Sequence, residues 1–99
     1  MIAMKTLHKF EVPLGSEGVD IELPQENTVR KVEYVVSVHT IFMWIEVEAN
    51  AVLCDDKSKH HFRAYKTGDG IPEEAIHVGS AVDQYLPDAY HVYRTGPVN

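Results

Sequence analysis

The chain has a single cysteine, Cys54, among 99 residues. That excludes an internal disulfide and fits a reducing cytoplasm. Asp55 and Asp56 follow it directly, and two carboxylates disfavour the thiolate that a reactive cysteine needs. Long apolar runs are also missing, so no membrane span is expected. The opening MIAMKTLHKF has no sustained apolar segment and no small-residue cleavage site, which argues against a secretory signal. Bases are scarce: nine Lys and Arg against fifteen Asp and Glu leave a net charge of −6. No Lys or Arg lies between Val12 and Val29, where Glu17, Asp20, Glu22 and Glu26 fall. The same holds between Lys66 and Arg94, which enclose Asp69, Glu73, Glu74, Asp83 and Asp88. Such a surface disfavours nucleic acid and suits either plain solubility or a partner protein with a basic surface. Helical periodicity is absent as well; Glu73, Glu74 and Ala75 after Pro72 make one turn at most.

What the chain does have is alternation. Arg30 to Ala49 is its longest run without Gly or Pro and is dense in Val, Ile, Phe, Tyr and Trp. Val32, Tyr34, Val36 and Val38 recur at spacing two, as do Met43, Ile45, Val47 and Ala49, which is the period of strands. Two strands are predicted here, the second starting near Thr40. Further strands are expected over Lys5–Val12 (anchored by Leu7 and Phe10), Val19–Leu23, His60–Lys66, Ala75–Val82 and Ala89–Thr95. Gly79 marks a bulge or a close approach, 50–59 reads as a mobile loop, and GPVN reads as a tail. About seven short strands in one domain over 1–99, with its core over about 4–96, predict an all-β fold: a small antiparallel sandwich or a partly open barrel. Val32, Tyr34, Val36, Ile45, Val47, Phe62 and Val92 are the expected core.

Chemistry is harder to find. Six histidines are dispersed without ligand spacing, so neither a metal site nor a cofactor is expected, although His77 and His91 would meet if their strands paired. No serine sits in a nucleophile elbow, and Thr67-Gly68-Asp69-Gly70 lacks the lysine and the following helix of a phosphate loop. Asp55, Asp56 and Asp69 lack calcium-loop spacing. No catalytic residue is assigned. Two groups remain as contact candidates. Phe42 and Trp44, with Glu46 and Glu48, fall opposite the Met43–Ile45–Val47 face and form an interface candidate, unless residues 50–58 or a terminus cover them. His61, Arg63, Tyr65, His91 and Tyr93 form a ligand-binding candidate, with cation, imidazole and phenol chemistry on two strands.

The order of motifs resembles a family of small phage proteins of unknown function. The matching pieces are KTLHKFEV, VDIELPQENTVRKVEY, FMWIEVE, HHFRAYKTGDGIP, IHVGS and AYHVYRTG, running from about Met4 to Gly96. The chain departs at the centre, where VVSVHTIF stands in place of a turn richer in Asn and Gly. The resemblance implies a phage or prophage origin and a host-cytoplasm location, and brings no catalytic residues. Three functions follow as expectations: an accessory protein that binds, against a host defence component; an oligomeric sponge for a small nucleotide-type ligand; or a minor virion or assembly protein. A homo-oligomer with Trp44 between subunits is expected.

Overall fold

A computed structural model of the chain describes residues 4–15, 17–24, 26–49, 58–86 and 88–98. Cys54, Asp55 and Asp56, with the reading of 50–57 as a mobile loop, lie outside the described residues. Seven strands follow in order: β1 (Lys5–Val12), β2 (Val19–Leu23), β3 (Thr28–Val35), β4 (Thr40–Glu48), β5 (Ser58–Lys66), β6 (Ile76–Val82) and β7 (Ala89–Val98). They form two antiparallel sheets, β1-β4-β3 and β2-β5-β7-β6. The fold is all-β, and neither sheet closes into a barrel.

Strand β4 shows why the sequence folds this way. Ile41, Met43, Ile45 and Val47 are buried, while Phe42, Trp44, Glu46 and Glu48 alternate with them on the other face and stay half-exposed. Their counterparts in the four-stranded sheet are Phe62 and Val92, both fully buried, with Ile21 and Leu23 from β2. Tyr34 and Tyr90 stack across the core at 5.2 Å, which joins the two sheets. Val32 and Val36 pack against this cluster from its margin.

Alternation fails at several places. Val38 is not inward: β3 ends at Val35, Val36–Val38 form a 3-10 turn, and Val38 is 55% exposed. His39 closes that turn with φ 52°, the left-handed conformation that Asn or Gly adopts most cheaply and that His tolerates. Leu7 is 53% exposed, because it and Phe10 point to opposite faces of β1. Ala49 is exposed beyond the end of β4, Ser58 and Lys59 belong to β5, and β7 runs on through the expected tail to Val98.

Gly79 behaves as its position predicts. The β6–β7 register shifts between His77 and Gly79, and a Cβ at Gly79 would collide with the Val32 side chain. The missing side chain lets β6 close onto β3, so one edge of each sheet meets the other at this corner. Strands β1 and β2 form the opposite edges.

Candidate ligand-binding face

The outward residues of β5 are His61, Arg63 and Tyr65, set by Phe62 pointing into the core. Pairing places His61 beside Thr95, Arg63 beside Tyr93, and Tyr65 beside His91. On the next strand His77 lies beside Tyr93 and Ser80 beside His91. All five sequence-predicted ligand residues therefore share one face of the four-stranded sheet.

The contacts on this face are specific. The Arg63 guanidinium lies 4.5 Å over the Tyr65 ring, and Tyr93 meets Tyr65 edge-on at 5.8 Å. Tyr65 is only 3% exposed although it points outward, since these neighbours cover it. His77 packs against the other side of Tyr93 at 5.2 Å. Arg63 Nε is buried with no hydrogen-bond partner among the described residues. At the β2 margin, His61 Nδ1 and Asp20 Oδ1 are 2.7 Å apart.

A line of hydroxyls and imidazoles runs along the same face. Ser80 Oγ lies 2.9 Å from His77 Nε2 and 2.8 Å from His91 Nδ1, while His91 Nε2 lies 3.0 Å from Thr67 Oγ1. Each hydroxyl donates once and accepts freely, and each neutral imidazole donates at one nitrogen. Two proton arrangements satisfy the whole line, one with Thr67 donating towards His77 and one reversed. Asp69 Oδ2 accepts from the Lys66 backbone N–H and fixes the turn that presents Thr67. Two depressions lie away from this line: one of about 360 Å³ between the β1–β2 turn and β5, lined by Leu14, Gly15, Arg63, Lys66, Asp69 and Tyr90 among others, and one of about 620 Å³ along the β3–β6 corner, lined by Val32, Tyr34, Val36, Ser80, Val82 and Tyr85 among others.

Sequence reasoning paired His77 with His91 only conditionally and missed Ser80 and Thr67. Strict alternation puts residues 77 and 80 on opposite faces. The irregularity at Val78 restores them to one face, and Gly79 was the available signal.

The interface candidate lies on the outer face of the three-stranded sheet. Trp44 sits directly between Lys9 of β1 and Lys31 of β3, each ammonium 5.9 Å from its ring, and Lys9 Nζ is also 4.3 Å from the Phe42 ring. Glu46 accepts from Arg30 Nη2 at 2.7 Å and Nε at 3.1 Å, and that bond holds its carboxyl below the ordinary value. Glu48 pairs in register with Lys5. The aromatic rings are thus covered in part by the stems of their own chain's lysines.

Inside the sandwich, His60 is buried beside Ser58, and Arg94 lies 5.0 Å over Phe62 and donates to Asn27 Oδ1 at 2.5 Å. Burial lowers the Arg94 guanidinium, and burial followed by the Arg94 charge lowers the His60 imidazole. Among the described residues no three His, Cys, Asp or Glu converge as a metal site, and no helix is long and apolar enough to cross a membrane.

No curated protein and no solved structure matches the chain. A family model does, over residues 4–99: the chain belongs to the family of the DUF7352 domain, a domain of unknown function.

Proposed function

We propose that this protein acts by binding rather than catalysis, and that the outer face of its four-stranded sheet takes a small anionic ligand carrying an aromatic ring, of nucleotide type. The observation that carries this reading is Arg63, whose guanidinium is laid on Tyr65 while its Nε stays buried without a partner among the described residues. A planar guanidinium recognises phosphate oxygens in pairs, and the partly exposed Tyr93 ring beside it offers an aromatic contact, while the buried Tyr65 ring serves to hold the guanidinium in place. The Thr67–His91–Ser80–His77 line supplies donors and acceptors that switch direction to suit a base edge. A net charge of −6 opposes a long polyphosphate chain, but one small anion feels chiefly the charges within a Debye length of about 10 Å. The order of motifs further supports an accessory role in a phage or prophage, acting in the host cytoplasm.

Thermal shift and calorimetry with a panel of nucleotides, nucleosides and inorganic phosphate test the reading. Nucleotides are expected to raise the melting temperature, nucleosides to do so less, and Arg63→Met to abolish the difference. If no panel member shifts the transition, and mass spectrometry of the denatured protein finds no released small molecule, the reading fails.

A second reading is a protein partner seated on the Phe42–Trp44 face. Its support is the exposed Leu7 beside two half-covered aromatic rings. The basic partner expected from composition finds little purchase there, since Lys5, Lys9 and Lys31 alternate with Glu11, Glu33, Glu46 and Glu48.

A further inference from the structure

Four strand edges bound the two sheets. Strands β3 and β6 close on each other at Gly79, and β2 is five residues long with Asp20 and Glu22 on it. The remaining edge belongs to β1, eight residues paired to β4 without a bulge, and no described strand pairs with its other side.

The direction of its free groups follows from one bond. Ala49 N–H donates to the Met4 carbonyl at 2.8 Å, which makes Met4 and Ala49 a hydrogen-bonded pair in the β1–β4 register. Antiparallel pairs alternate, so Thr6, His8, Phe10 and Val12 bond to β4. The backbone N–H and C=O groups of Lys5, Leu7, Lys9 and Glu11 point to the open edge.

Lysines on an edge ordinarily keep strands apart. Only some registers of a second β1 strand respect their charge. A two-fold axis through Leu7 sets Lys5 against Lys9, and an axis through Lys9 sets that lysine against its own copy. An axis through His8 sets Lys5 against Glu11 at both ends and Leu7 against the Lys9 stem, with the four outward-bonding residues in hydrogen-bonded pairs. We propose that two copies of this chain join antiparallel through β1 in this His8-centred register, making one continuous six-stranded sheet across the dimer.

The rows across that sheet are complementary. Lys5 lies between Glu48 of its own chain and the second copy's Glu11, and Lys9 lies between Trp44 and the second copy's Leu7. Leu7, 53% exposed in the single chain, gains the Lys9 stem and a diagonal neighbour in its own copy. About eight inter-chain backbone hydrogen bonds form. The Phe42–Trp44 faces of the two copies then lie side by side on one surface and are not buried against each other.

Sedimentation equilibrium of the full chain at high micromolar concentration is expected to give a dimer. Lys5→Glu should weaken it at least tenfold, Glu11→Lys likewise, and the double exchange should restore it, because only this register opposes those two residues. Circular dichroism of each variant confirms the fold. In a Cys54→Ser background, His8→Cys should cross-link to its own copy under mild oxidation, since directly opposed non-hydrogen-bonded residues lie within disulfide reach, whereas Thr6→Cys should not. A monomer, a double exchange that fails to restore association, or a dimer whose His8→Cys form does not cross-link would overturn the proposal.

Discussion

The two sheets share one core and differ on their outer faces. On the three-stranded sheet the outward side chains answer one another in pairs of opposite sign: Arg30 with Glu46, Lys31 with Glu33, and lysine ammoniums over Phe42 and Trp44. On the four-stranded sheet the outward residues are mostly uncharged donors and acceptors tied into a line, with one arginine nitrogen unanswered among the described residues. A face that neutralises itself gains stability and solubility and offers little to a ligand. A face of reversible hydrogen bonds around a cation gains less from itself and has more to exchange. That difference, rather than any single residue, is why the four-stranded face is the stronger candidate for recognition.

The sharpest test removes one large ring from the shared core and one from the outer face of the three-stranded sheet. Phe62 is fully buried, and Phe62→Ala should cost about 3–5 kcal/mol in urea denaturation, through lost transfer energy and the cavity left behind. Trp44 is half-buried under lysine stems, so Trp44→Ala should cost roughly 1–2 kcal/mol despite the larger ring. Equal costs would mean that the Trp44 face is a second core rather than a covered surface.

A middle-sized effect tests the corner where the sheets meet. Gly79→Ala places a methyl against Val32 and should destabilise by about 1–3 kcal/mol. Val32→Ala removes the obstructing branches, so the double variant should lose less than the sum of the two single losses. Strict additivity would show that the corner tolerates separation and that Gly79 is there for the bulge alone.

Most of the architecture was legible because half-buried strands carry period two, and β2 and β4 keep it. What escaped has a common physical cause. Val36 and Val38 continue the apolar alternation of β3 although the chain has turned, and hydrophobicity alone does not distinguish a strand from a 3-10 turn of the same composition. The bulge at Val78 reverses parity, so Ser80 reached the ligand face unannounced. Tyr65 was placed on the correct face, but its burial comes from Arg63 and Tyr93, which only the register brings beside it. The five residues of the ligand candidate were readable because β5 and β7 keep their pairing regular from residue 61 onward.

The smallest expected effect compares two adjacent histidines that face opposite ways. His60 points inward, 7% exposed beside Ser58, while His61 points outward to Asp20. Burial, and secondarily the Arg94 charge, lower the pKa of His60 below its ordinary value. As pH falls through about 6.5, the unfolded chain takes up a proton at this position that the folded protein refuses. Stability decreases wherever the unfolded state binds more protons as pH drops, so this residue destabilises the fold progressively on the acid side, until the folded imidazole also titrates. His60→Gln keeps a side chain able to bond Ser58 and removes the proton uptake. Its melting temperature should therefore fall less between about pH 7.5 and 5 than that of the unmodified protein. Identical profiles for the His60 variant and the unmodified chain would show that His60 is hydrated in the folded state, and the inner-face side of the comparison would fail at that residue.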